Sequence, residues 1–477
     1  MGPPLSEALR DDVRQSPAGP ALAPSAPDGT IWRNRHFLLL WLAQIISQTA
    51  QNAIWFGILI LVQHRSNSST QLSLAILTLI IPSVLFGVLA GVYVDRWDKR
   101  SVLIITNVVR GGIAFGYALF GLVGVLPLGA LYLVNFAFST VGQFFAPAES
   151  AMIPAIVSRP RLIQANSLFH LSFTASQLVG LVVLGPLLVK AVGLDALFYI
   201  MAGAIVVCGG LVWPLPRHRG EHDPDVATTG SEAIQGVWRD ARAVATFVLG
   251  RRVVALVMVQ WTIGAILGLV VATLVPGFAE RQLQVRAEDA VVVMAPAGIG
   301  MVAGTAMLNR WGQRLDKHFL TNVGLLVVGA CLAAIGAVAL VAGWLSAGAP
   351  PRVPVPVIGE ASIAVPVVMG LALVAGFGFV AIMVPAQTLL QEQAPTELRG
   401  RVFAVQLMLS NLASILPLVL LGGLADLIGA DRTFVLIGLL IAAAAAASVR
   451  VAPGGAPWHG HHSGSVGPGS GEASAGA

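Results

Sequence analysis

Arg110 stands ten residues inside an apolar run that begins near residue 101. A charge at the centre of a membrane-spanning helix costs about 2.5–3.5 kcal/mol on insertion scales, so it needs a partner. Asn107 one turn away, an anionic ligand, or buried carbonyls would each serve. A second polar feature is periodic: Gln44, Ser47, Gln48, Gln51 and Asn52 fall at i, i+3, i+4, i+7 and i+8, drawing one stripe along an otherwise apolar helix. Gln406, Ser410, Asn411 and Ser414 draw a shorter stripe, and Gln260 with Thr262 marks a third segment. Such groups face water or bond to a neighbouring helix, because hydrocarbon offers them no partner. Proton transfer is open to His170, whose imidazole in its unperturbed form titrates near neutrality, and to Glu149 near the end of its run. A hydrogen-bonded structural histidine is the reading the His170 position favours over a titrating one.

No phosphate-binding loop ending in Gly-Lys-Ser/Thr, no metal-ligand helix and no nucleophile elbow occurs in the sequence. An enzyme, a resident metal and a cofactor are therefore not expected. His459, His461 and His462 lie in a Gly/Ser-rich tail and are read as part of a disordered segment. Cys208 and Cys331 both fall in apolar runs, where they pack as small apolar side chains.

The elements that position these residues follow from composition. Of 477 residues, 56% are hydrophobic and 11% charged, whereas a soluble domain carries about 25% charged residues. Runs of about 20 apolar residues span a bilayer core of roughly 30 Å as helices. They recur near 36–62, 71–94, 101–123, 129–151, 164–189, 195–214, 253–277, 289–308, 319–345, 364–388, 402–425 and 433–449. With the N-terminus inside, 21 of the 28 Lys and Arg fall in inner segments and six in outer loops, Arg110 being the remaining one. That asymmetry places both termini in the cytoplasm and the chain in the cytoplasmic membrane. It also accounts for the net charge of +5 without a nucleic-acid partner.

The longest polar stretch separates six spans from six. The expected organisation is a disordered tail over 1–32, a six-helix half over 33–215, a cytoplasmic loop over 216–252, a second half over 253–450 and a disordered tail over 451–477. Ile234, Val237, Val244 and Val248 recur at helical spacing beside Arg239, Asp240 and Arg242, which predicts an amphipathic surface helix in the central loop. The halves echo each other. Asp95-Arg96-Trp97-Asp98-Lys99-Arg100 matches Asn309-Arg310-Trp311-Gly312-Gln313-Arg314, and Pro82 matches Pro296 at the same offset. Pro147-Ala148 with Arg161 matches Pro385-Ala386 with Arg399. Parallel repeats of this kind place a ligand path at their interface near the bilayer midplane.

Gly91-Val92-Tyr93-Val94-Asp95-Arg96-Trp97-Asp98-Lys99-Arg100 resembles the motif between the second and third helices of the major facilitator superfamily, with Asp98 where the family has Gly. The chain from about 33 to 450 more closely resembles the superfamily's drug and siderophore exporters, the group of enterobactin exporters and macrolide efflux proteins. Phe144-Phe145-Ala146-Pro147-Ala148 through Ala165-Asn166 carries this likeness, together with Gln393-Ala394-Pro395 and Leu398-Arg399-Gly400-Arg401-Val402-Phe403. Antiporters of the superfamily follow Gly-Pro in the fifth helix with Gly-Gly two residues later; here Gly185-Pro186 is followed by Leu187-Leu188-Val189-Lys190. The resemblance implies an all-α membrane protein with twelve transmembrane helices in two pseudo-symmetric six-helix halves, working by alternating access. It implies a gating latch of Gly87, Gly91, Asp95, Arg96, Lys99 and Arg100, echoed by Asn309, Arg310 and Arg314; Gly87 and Gly91 would admit a close helix. A substrate cavity is expected among Gln44, Gln48, Gln51, Asn52, Arg110, Gln260, Gln406 and Asn411, with proton coupling at His170 or Glu149. The expected activity is efflux of an amphipathic drug or siderophore by a monomer, with protons as coupling ion and lipid as surroundings. A lipid flippase, a metabolite importer, and a non-transporting receptor or scaffold on the same fold are the alternatives.

Overall fold

A computed structural model describes residues 31–121, 127–219, 239, 242, 244, 246, 248, 250–286, 289–311, 315–345, 352–355, 359–393 and 399–451. Each of the twelve apolar runs is helical. The helices are α1 (Arg35–Ser66), α2 (Ser69–Arg96), α3 (Lys99–Gly116), α4 (Leu128–Ile156), α5 (Leu162–Leu178), α6 (Gly185–Val212), α7 (Arg252–Arg281), α8 (Ala290–Trp311), α9 (Lys317–Leu345), α10 (Ala364–Gln393), α11 (Arg399–Ile428) and α12 (Ala430–Val451). Many exceed the roughly 20 residues a bilayer needs, so they tilt and protrude. The fifth span runs from α5 through a π-helical turn, Val179–Leu184, into the first part of α6. It ends at Gly193, whose φ of 89° and ψ of 169° break the helix, and the sixth span follows. Only a residue without Cβ takes that backbone conformation without strain.

Local chemistry sets the starts. Asn34 caps α1, accepting from Phe37 N at 3.2 Å and donating from Nδ2 to Ile156 O at 2.6 Å, which ties the beginning of α1 to the end of α4. Ser68 caps α2 and Asp98 caps α3. Asp98 accepts from Ser101 N, Ser101 Oγ and His218 N; burial raises its pKa, but these bonds outweigh it and hold the carboxyl below its ordinary 3.8. Between α9 and α10, β1 (Arg352–Val355) and β2 (Gly359–Ser362) form an antiparallel hairpin, where the sequence predicts only a long loop.

Each half repeats one packing plan: α2 on α4, α3 on α4 and α6, then α8 on α10, α9 on α10 and α12. The halves meet through α2 on α11, α2 on α7 and α1 on α7. Ile76, Leu77 and Ile80 of α2 join the apolar core of the C-terminal half, alongside Leu267, Val270 and Leu418. In the central loop Arg239, Arg242, Val244, Thr246 and Val248 are helical, and Val244 packs with Val254, Val257 and Ala386. The rest of that predicted helix, Arg314 and nearly all of both expected tails lie outside the described residues.

Candidate functional site

The two halves are sealed at one end, where α1 turns into α2 and α11 into α12. Asp426, near the end of α11, reaches the first turn of α2. Its Oδ2 accepts from Ser68 Oγ at 2.6 Å, Thr70 N at 2.9 Å and Thr70 Oγ1 at 2.7 Å, and its Oδ1 accepts from Ser69 N at 2.8 Å. A carboxylate at a helix N-terminus meets both unpaired amides and the positive end of the dipole. Arg281 of α7 donates to Ser69 Oγ at 2.9 Å and lies 3.7 Å from Asp426. Gln63 of α1 donates to Glu280 of α7 at 2.8 Å, and Lys190 pairs with Asp289 at 2.8 Å. Deeper along the seam Ser73 Oγ donates to Leu418 O at 2.8 Å, and Asn411 donates to Ser83 Oγ at 3.2 Å near the middle of α2. Asn411, expected in the cavity, thus stands at the inner limit of the seal.

Small residues set how closely α2 and α11 approach. A Cβ on Gly422 would lie 2.2 Å from Ser73 Oγ and 2.9 Å from Ser69 O, so the seam requires glycine there. Among the described residues, a Cβ on Gly87 or Gly91 meets nothing within 4 Å, so no helix approaches closely there in this state. The α2–α11 crossing closes at the Gly422 end and parts toward Gly91. In the predicted latch, Lys99 is buried and donates to Asp95 O at 2.6 Å, Asp95 and Arg96 are exposed, and Arg100 lies 5.2 Å over the Trp213 ring. Arg310 is exposed at the end of α8, in the region of Asn309.

The predicted cavity residues divide. Gln44 donates to Phe169 O at 3.1 Å and accepts from Ser172 Oγ at 2.9 Å, joining α1 to α5. Gln260 donates to Asn322 of α9, while Gln406 donates to Met258 O and Thr262 Oγ1 of α7. Asn52 donates to Gln48 O within α1. Gln44, Gln48, Asn52, Gln260 and Gln406 are all buried, and Gln44, Gln260 and Gln406 bond helix to helix. Their spacing alone is compatible with a cleft or with such contacts.

Arg110 does not face a cleft; it is 1% exposed. Its guanidinium donates to Gln51 of α1, and its carbon lies 5.1 and 5.7 Å from the Phe138 and Phe145 ring centres. Asn107, the neighbour expected as its partner, instead donates to Leu103 O and accepts from Ser47 Oγ. Glu149 of α4, expected near the end of its span, is buried beside Arg110, as is Cys208 of α6. Among the described residues, Arg110 Nε and Glu149 Oε1 are buried without a hydrogen-bond partner. This leaves a buried carboxyl group beside a fixed guanidinium, each with a polar atom incompletely satisfied. His170 is exposed on α5.

The model of the Major Facilitator Superfamily matches residues 40–418. The chain belongs to this superfamily. It is 24% identical over 417 residues to the MFS-type transporter YfiS of Bacillus subtilis (strain 168), covering 86% of this chain and 92% of that one. It is 25% identical over 402 residues to the multidrug efflux pump Tap of Mycobacterium tuberculosis (strain ATCC 25618 / H37Rv), covering 82% and 87%. A bacterial homologue of the human lysosomal transporter Spinster, solved in an inward-facing and unoccupied conformation, superposes with a TM-score of 0.64 at 12% identity, covering 89% and 98%. This facilitator chain is a multi-pass membrane transporter and not an enzyme.

Proposed function

We propose that this facilitator exports an amphipathic small molecule, a drug or siderophore, from the cytoplasm by alternating access. The observation that carries the reading is the one-ended seam: Asp426, Arg281, Glu280 and Ser73 join the halves at one end, while Gly87 and Gly91 face open space toward the other. With both termini cytoplasmic, as the basic residues predict, the seam is external and the chain stands inward-facing. The latch then belongs to the opposite state, in which Gly87, Gly91, Asp95, Arg96, Lys99 and Arg100 close against the second half. The efflux activity named for the relative Tap favours export. Protons are the coupling ion, and Glu149 with Arg110 and Gln51 is the group assigned to carry them. The unit is a monomer.

Uptake of a substrate panel into everted vesicles, with and without a proton gradient, tests this. At least one substrate should accumulate only with the gradient, and Asp95→Asn should slow its uptake. A gradient that changes no flux in folded protein would overturn coupled export. Single-cysteine labelling tests the orientation: the 95–100 loop should react only from the cytoplasm.

A further inference from the structure

Four polar residues share one exposed face of α5. Asn166, His170, Thr174 and Gln177 recur at i, i+4, i+8 and i+11, within an arc of about 80° at 100° per residue. The rotation of α5 is fixed from the opposite side, where Ala165, Phe169, Ser172 and Ser176 are buried against α1. Trp41 Nε1 donates to Ser172 Oγ at 3.1 Å, Gln44 Nε2 to Phe169 O at 3.1 Å, and Ser176 Oγ donates to Ile45 O at 3.4 Å. Leu171, 69% exposed, lies about 60° beyond the stripe on the exposed side, flanked in projection by Ser167 and Gln164.

Lipid chains satisfy none of the polar groups in the stripe. Thr174 Oγ1 donates to His170 O at 3.1 Å, and among the described residues no hydrogen bond is made by the His170 imidazole or by the Asn166 and Gln177 amides. These groups require water or a ligand. Depth gives the same answer. At 1.5 Å per residue the stripe begins about 6 Å from the start of α5 and ends about 22 Å in, about three quarters of the thickness of a bilayer core of roughly 30 Å. It stops before the π-helical turn, as the Asn411–Ser83 contact stops the seam near mid-helix from the other end.

We infer that this face of α5 is the polar wall of the substrate path, and that it recognises neutral amphipathic molecules rich in amide, hydroxyl or carbonyl groups. Each residue of the stripe both donates and accepts hydrogen bonds, and none is a carboxylate that would pair with a permanent cation. Arg110, the cation nearest in sequence pattern to an anion site, is sealed away. Phe173, partly exposed beside the stripe, supplies an apolar surface. The inference rests on the transport reading, but its test does not require transport.

In a Cys208→Ala/Cys331→Ala background, single cysteines at Asn166, His170, Thr174, Gln177 and, as control, Leu171 are reacted in lipid nanodiscs with methanethiosulfonate ethyltrimethylammonium, which does not enter hydrocarbon. Size-exclusion elution reports folding. The four stripe positions should react at least about tenfold faster than Leu171→Cys. Chloramphenicol, a neutral amide with two hydroxyls, should slow labelling of His170→Cys and Thr174→Cys, whereas tetraphenylphosphonium should not. Equal labelling at Leu171→Cys would overturn the wall. Protection by the cation, or by neither probe, would overturn the assigned substrate class. Stripe labelling without gradient-driven flux would leave the wall standing and sink the reading of proton-coupled export instead.

Discussion

Asp426→Asn should loosen the closed end without unfolding the protein. The carboxylate divides its contacts, Oδ2 taking Ser68 Oγ, Thr70 N and Thr70 Oγ1 while Oδ1 takes Ser69 N and faces Arg281. An amide keeps one acceptor, so its oxygen serves the Ser68 and Thr70 group while its NH₂ confronts the Ser69 amide and Arg281. One hydrogen bond to a charged acceptor is lost, of order 1.5–3 kcal/mol before discounting for partial exposure. The charge–dipole attraction adds about 0.3–1 kcal/mol and the ion pair less than about 1 kcal/mol. A net loss of about 2 kcal/mol shifts the equilibrium between closed and open seam about 30-fold. Ile76→Cys, in the core shared by α2 and the C-terminal half, reports the open fraction as its reaction rate with an impermeant thiol reagent in a cysteine-free background. The rate should rise about 30-fold with Asp426→Asn. A rate within twofold of the parent, in protein that elutes normally, would refute the lock.

Gly422→Ala should open the same seam, since its methyl would displace Ser73 and overpacking of this kind costs about 1–3 kcal/mol; Ile76→Cys labelling reads it. Gly91→Ala should leave that rate unchanged, because its Cβ meets nothing here, yet slow turnover if the latch closes there in the opposite state. Arg110→Ala should lower stability by about 3 kcal/mol by stranding Gln51 and Glu149, whereas Arg110→Met with Glu149→Gln should recover most of the loss in a thermal melt in detergent. Asp98→Asn keeps a capping acceptor but loses the charge at the start of α3, and should cost about 0.3–1 kcal/mol near neutral pH. The folded pKa of Asp98 lies below its ordinary 3.8, so its contribution is present above that value and is lost as pH falls through the folded pKa; melts from pH 7 to pH 3 should show the gap between parent and variant closing only below about pH 4.

The helices were legible because each must satisfy its own backbone in hydrocarbon, which forces long apolar runs on the sequence. The break between the fifth and sixth spans was legible for the same reason, and Gly193 falls in the gap expected between residues 189 and 195. Rotation about each helix axis was not legible. The α1 stripe reads equally as cleft or contact, and Gln44 makes contact with α5. On α5 the periodicity was present, yet His170 drew attention singly as the titratable member, Asn166 only as the end of a motif, and Thr174 and Gln177 not at all. The seam left no sequence signal at all: Asp426 and Thr70 are 356 positions apart, and nothing local distinguishes that aspartate from any other at a helix end. Glu149 was visible as an acid, but its proximity to Arg110 arises from the packing of α3 on α4.

At the start of α2, Ser68 shields the Gln71 amide from within the same half, whereas the amides of Ser69 and Thr70 find their acceptor only across the molecule. When the halves part, those two N–H groups turn to solvent while Gln71 stays protected. Three successive residues therefore carry a readout and its internal control. Deuterium uptake at Ser69 and Thr70, referenced to Gln71, would follow the opening of the outer seam in unlabelled, unmutated protein, and would register any ligand that changes how long the two halves stay together.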